Sequence, residues 1–89
     1  MARIERVYYE APSRETLAST ADLRPGDYAV LSYRDGSVIS GTVDWTHVSG
    51  EGGIKDAHDT HPDGKIWETW LFSPDGGVVK IERLHFGTD

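Results

Sequence analysis

Cysteine is absent from the 89 residues, which excludes a disulfide framework, a zinc ribbon and a thiol nucleophile. Those are the usual staples of a small secreted domain, so a cytoplasmic setting is the expectation. Long hydrophobic runs are missing as well. The opening Met1-Ala2-Arg3-Ile4-Glu5-Arg6-Val7 alternates charge with apolar side chains, where a signal peptide or a membrane span needs a continuous apolar stretch. Basic charge is scarce in one half of the chain. Residues 1–34 hold five Arg against five acids, whereas residues 35–89 hold ten acids against four bases and carry the whole net charge of −6. Nucleic-acid binding draws on Lys/Arg contacts to phosphate, so direct DNA or RNA binding is disfavoured. The acidity serves solubility in the first instance, and an acidic docking surface is the alternative.

What the chain does have is aromatic area. Three Trp, four Tyr and two Phe can each bury roughly 150–250 Å². A chain of this length is expected to form one domain, residues 1–89, burying about 60% of its unfolded surface. Such a core is marginal alone, which leaves a place for self-association as a homo-oligomer.

β-favouring residues recur along the sequence. Arg3 to Tyr9 reads as a first strand. After Pro12, Ser13 is placed as the N-cap of a short helix, with Glu15 in its first turn and Leu17 and Ala21 on one face. Pro25-Gly26 must end that helix. From Asp27 to Arg34 the run Tyr-Ala-Val-Leu-Ser-Tyr reads as a strand with apolar groups on both faces. Asp35-Gly36 then turns the chain as a two-residue hairpin, since that dipeptide tolerates positive φ. In the strand from Ser37 to Thr46, Ile39, Gly41, Val43 and Trp45 share one face, and Gly41 in mid-strand marks a bulge or a bend. Residues 49–64 lack apolar periodicity, are dense in turn formers and read as a long loop. Lys65 to Ser73 makes a fourth strand. Pro74-Asp75-Gly76-Gly77 makes a second hairpin turn into a fifth strand, Val78 to Phe86.

The stretch from Pro25-Gly26-Asp27-Tyr28-Ala29-Val30 through Asp35-Gly36 to Gly41-Thr42-Val43 resembles the opening hairpin of SH3-like and Tudor-like small barrels. The resemblance covers about a quarter of the chain and implies a mainly β fold: a five-stranded small barrel or a strongly twisted antiparallel sheet, here with one short N-terminal helix. It also implies a binding module for peptides, nucleic acid or methylated side chains more readily than an enzyme.

Metal ligands cluster only in Asp56-Ala57-His58-Asp59-Thr60-His61-Pro62-Asp63-Gly64. Asp59-x-His61-x-Asp63-Gly64 is similar to the start of a calcium loop, but Trp70 stands where the bidentate Glu is required. His58 and His61 are the candidate transition-metal ligands, yet three or four converging ligands are needed. No metal and no cofactor are expected. No G-x-S-x-G or phosphate-binding glycine loop is present, so a non-enzyme is expected too.

On the fourth strand strict alternation sends Trp67 to one face and Trp70, with Ile66 and Phe72, to the other. Both cannot enter one side of a single core, so one set is left for the helix or a partner. Trp67, Trp70, Tyr33 and Trp45 are therefore the candidate anchors of a partner-binding surface, with Asp56, Asp59 and Asp63 as an acidic loop that steers a basic partner. The expected function is a non-catalytic module binding a protein partner, of the kind common among accessory proteins and inhibitors of phages and mobile elements. The alternative is a small-ligand or metal-binding domain with residues 49–64 as a lid.

Overall fold

A computed structural model describes residues 13–60 and 64–86. They form one antiparallel sheet of six strands: β1 (Ser13–Leu17), β2 (Tyr28–Tyr33), β3 (Val38–Thr46), β4 (Gly52–Asp59), β5 (Ile66–Phe72) and β6 (Val78–His85). The order across the sheet is β1-β6-β2-β3-β4-β5. The expected mainly β class holds at that level. The strand expected at Arg3 to Tyr9 lies outside the described residues.

The expected N-terminal helix is instead strand β1. Ser13 does not cap a helix; its hydroxyl donates to the His85 carbonyl at 3.4 Å, and five residues from Ser13 to Leu17 pair with His85 back to Ile81. Pairing along a waiting edge outweighs a weak local helix signal, as tertiary context commonly does. The only helical turn among the described residues is a 3-10 turn, Thr20–Asp22, whose Ala21 N–H donates to the Ser19 hydroxyl.

Asp35-Gly36 does turn β2 into β3, but by a different geometry from the expected two-residue loop. Gly36 N–H donates to Tyr33 O at 2.9 Å and Tyr33 N–H to Ser37 O at 2.8 Å, and Gly36 alone in the turn has positive φ, +94°. That is a three-residue loop closed by a glycine bulge. The Asp35 carboxylate accepts from Ser37 N–H and Oγ, holding the turn from outside.

The second turn does not make a hairpin. β6 leaves Pro74-Asp75-Gly76-Gly77 and pairs with β2 and β1, not with β5. In a flat sheet four strand spacings separate β5 from β6, about 19 Å. A tight turn with Gly76 N–H on Ser73 O keeps its ends within about 7 Å, so the sheet has to curl. Arg34 N–H donates to Gly77 O at 2.9 Å, pinning the turn onto the end of the β2–β3 hairpin.

Irregularities in β3 and β4 supply that curl. Thr42 pairs with Lys55 and Ser40 with His58, so Gly41 faces two residues, Asp56 and Ala57. Asp56 carries the strain of the bulge, with φ +52°. A Cβ on Gly41 would lie 2.5 Å from Ile54 Cγ2 and 3.0 Å from Lys55 O; only glycine lets β4 come this close. Inside the curl sit Leu23, Ala29, Leu31, Ile39, Val43, Ile54, Ala57 and Phe72, all buried.

The region expected to be a long loop, residues 49–64, contains β4, hydrogen-bonded to β3 on one side and β5 on the other. A strand held on both edges cannot swing as a lid. Gly52 and Gly53 are glycine for space: a Cβ on Gly52 would collide with the Phe72 ring, and one on Gly53 with the Trp45 indole. Composition alone presents these positions as loop-like.

Candidate protein-binding surface

Two groups of aromatic side chains end up in different surroundings. The first is gathered on the concave side. Ile54 pairs with Trp70 and Ala57 with Trp67, and because the Asp56 bulge rotates β4 by half a period, Ile54 and Ala57, three residues apart, both face inward. β5 follows in register, so Trp67 and Trp70 share a side. Their rings stand 5.7 Å apart, edge to face, and Trp70 meets Tyr33 at 6.0 Å in the same manner. The expected placement of Trp67 and Trp70 on opposite faces is therefore overturned by a bulge on the neighbouring strand.

Polar atoms of this cluster are paired. Trp70 Nε1 donates to Tyr33 Oη at 2.8 Å, and Trp67 Nε1 to Asp59 Oδ2 at 3.2 Å. The first bond joins the edge strand β5 to β2, three places away in the sheet, and so records the curl directly. Burial holds the Tyr33 hydroxyl above its ordinary pKa of 10.0, with the Trp70 hydrogen bond acting in the opposite direction. The Lys65 ammonium lies 4.0 Å over the Trp67 ring, a cation–π contact. Trp67, Trp70 and Tyr33 thus pack against the core, where they fix β5 in place.

The second group faces out. Asp44 is an extra residue on β3, because Val43 pairs with Ile54 and Trp45 with Gly53. This shift takes Trp45 off the inner face it was expected to share with Ile39, Gly41 and Val43. Its indole lies across Gly53 and remains 42% exposed. On the far side of Gly53, in the same row, stands Leu71, 67% exposed. Between them opens a hollow of about 290 Å³ lined by Trp45, Glu51, Gly52, Leu71, Phe72 and Ser73. Ile66, near the other end of β5, is a separate exposed apolar residue, at 59%. Single exposed apolar residues are ordinary; a pair such as Trp45 and Leu71 flanking a hollow marks a contact surface.

The expected acidic loop is not assembled as such. Asp56 is exposed on the β4 bulge, Asp59 is buried at the end of β4 beneath Trp67, and Asp63 lies outside the described residues. Of the candidate metal ligands, His58 is exposed on β4 and His61 is also outside the described residues. Among the described residues no three His, Asp or Glu side chains converge to hold a metal ion. Acidic groups do surround the outer patch, with Asp44 beside Trp45, Glu51 on the rim of the hollow and Glu68 on β5. Leu71 and Ile66 were missing from the candidate anchors. The signal for Leu71 was its place opposite Gly53, legible only once residues 52–59 are recognised as a strand.

At the other end of the sheet, Arg83 gathers a polar group. It donates to Glu15 Oε1 at 2.9 Å and to Asp27 Oδ2 at 2.9 Å, while His85 Nε2 lies 2.8 Å from the same Glu15 oxygen. His85 first, then Arg83, hold the Glu15 carboxyl below its ordinary value. Each group there has its partner, and the arrangement ties β1 to β6.

Among the described residues no helix is long and apolar enough to cross a membrane. No family model matches the chain, and no curated protein matches it. Among solved structures, the chain is similar to the SmAP (LSm) protein from Methanococcus vannielii, with 13% sequence identity, 61% of this chain and 75% of that chain covered, and a TM-score of 0.51. At that identity the likeness shows the fold alone: a small, mainly β, SH3-like architecture of the kind that the sequence between Pro25 and Val43 resembles.

Proposed function

We propose that this protein is a non-catalytic interaction module that binds a protein partner through the outer surface of β3–β5, with Trp45 and Leu71 as its anchors. The observation that carries this reading is the row Trp45, Gly53, Leu71, in which two large apolar side chains stay exposed on either side of a glycine hollow. Tryptophan anchors recur at the centres of interfaces, where removing one costs about 2 kcal/mol or more. Tyr33, Trp67 and Trp70 serve the surface from beneath by holding β5 rigid. The acidic surroundings favour a basic partner and speed its approach at low salt.

Affinity purification from the source cells, followed by mass spectrometry, tests the reading. A stoichiometric protein should accompany the unaltered chain and be lost from Trp45→Ala and Leu71→Lys, both of which alter exposed side chains and should keep the circular dichroism spectrum of the parent. A partner retained by both folded variants would move the surface elsewhere. Nucleic acid as the bound species, released by nuclease, would replace the protein-partner reading.

A further inference from the structure

We propose that β5 is a docking edge for an extended, basic segment of a protein partner, which adds to the sheet as one more strand; this rests on the reading of Trp45 and Leu71 given above. Strand β5 pairs with β4 on one side and, among the described residues, with nothing on the other. Its seven residues, about 23 Å of extended backbone, present outward N–H and C=O groups that no other strand among the described residues pairs. Natural edge strands carry lysine, proline or other charges that discourage pairing. Between Ile66 and Phe72 there is no lysine, arginine, proline or glycine, and Glu68 is the single charge.

Side-chain chemistry on this edge fits the same occupant. Leu71 and Ile66 offer apolar contacts near the two ends of the strand. The hollow beside Leu71, about 290 Å³ and floored by Phe72 and Gly52, falls at the lower limit of small-molecule sites, roughly 300–1,000 Å³. It is open and shallow, which suits one apolar side chain of an added strand better than an enclosed cofactor. In strand addition, main-chain hydrogen bonds supply affinity and alternate side chains supply specificity.

Charge selects between a partner and a second copy. From Asp44 to Ser73 the exposed charges of the described residues are Asp44, Glu51, Asp56 and Glu68 against Lys55 and Lys65, and Lys65 is engaged over the Trp67 ring. Two β5 edges brought together would set this acidic surface against itself, and each chain carries a net charge of −6. A strand bearing lysine or arginine meets the opposite field. The occupant is therefore basic and comes from another protein.

The test uses a synthetic peptide of about nine residues that alternates lysine with valine or leucine, the length of a strand that covers β5. Its two controls are the same peptide N-methylated at alternate backbone positions and a version with glutamate for lysine. Titration with heteronuclear NMR should show shifts in Trp45 and Leu71 and slowed exchange of the outward β5 amides. N-methylation should weaken binding by about tenfold or more, since it removes several of the main-chain hydrogen bonds that an added strand would make. The glutamate peptide should not bind.

Equal binding of the N-methylated peptide, still abolished by Trp45→Ala, would overturn strand addition and leave the Trp45 surface standing. Binding unaffected by Trp45→Ala and Leu71→Lys would overturn both. No slowing of β5 amide exchange by the parent peptide at about millimolar concentration, well above the weak affinities such probes reach, would overturn the docking edge. A dimer in sedimentation that Leu71→Lys dissociates would give the edge to a second copy.

Discussion

Among the described residues the sheet ends in two edges, and they are built from opposite chemistry. β1 is five residues long, exposed along most of its length, and joined to β6 by its ladder and by ion pairs: Arg14 with Glu82 at 2.9 Å, and Glu15 with Arg83 and His85. β5 is held by three aromatic rings and Phe72, with one hydrogen bond reaching as far as β2. Burial of apolar area is the larger force per residue, and ion pairs add little where both partners are exposed, as in Glu15 with His85. β5 should therefore be the rigid edge although it is the uncovered one, and β1 the yielding edge although it is charged. Charge along β1 also repels chance pairing, a protection that β5 lacks. A rigid edge left open is suited to receive a partner.

The strongest way to break this contrast is at Phe72. Replacing it with Ala leaves a void under β5 and should lower the unfolding free energy by about 3–5 kcal/mol, read from urea denaturation. For a domain holding roughly 5–10 kcal/mol in total, that is enough to blur the difference between the edges. A milder change sharpens it. Trp70→Phe removes the donor to Tyr33 Oη and should cost about 1 kcal/mol, whereas Trp70→Phe with Tyr33→Phe together should cost less than the sum of the two singly. Additive losses would mean that the bond adds nothing to how β5 is held.

The smallest effect is expected at β1. Glu15→Gln should destabilise the fold only slightly, and not measurably at about 1 M salt. Because His85 and Arg83 depress the folded value of Glu15, its contribution is present above the unfolded value of about 4.5 and is lost as pH falls through the folded one. Acid titration of the Gln variant should lack that step, and a destabilisation equal to that of Phe72→Ala would erase the distinction between the edges.

Much of the sheet was legible in the sequence because period-two alternation marks Val38–Thr46, and β-favouring runs bounded by turn residues mark Tyr28–Tyr33 and Val78–His85. The first turn was also legible in its place and in the positive φ of Gly36, but not in its three-residue length. β4 was hidden, since Gly52-Gly53 and Asp56 read as loop chemistry when in fact they make room for Phe72 and Trp45 and absorb a bulge. That single omission propagated. Without β4 there is no bulge beside β5, strict alternation sends Trp67 and Trp70 apart, and the exposed anchor Leu71 goes unnoticed. β1 was hidden for another reason: its strand state depends on an edge of β6 that lies 64 to 72 residues away, and local capping signals carry no trace of it.

The contact between Trp45 and Gly53 has a consequence for how this protein can change over generations. The indole occupies the space that any side chain at position 53 would need, so neither residue is free to drift alone. A descendant that gains even a methyl group at Gly53 must first shrink or displace Trp45, and one that loses Trp45 opens room for a larger residue at 53. Relatives of this chain should therefore fall into two kinds, Trp opposite Gly or a smaller residue opposite a larger one. Only the first kind would keep a partner that grips the indole.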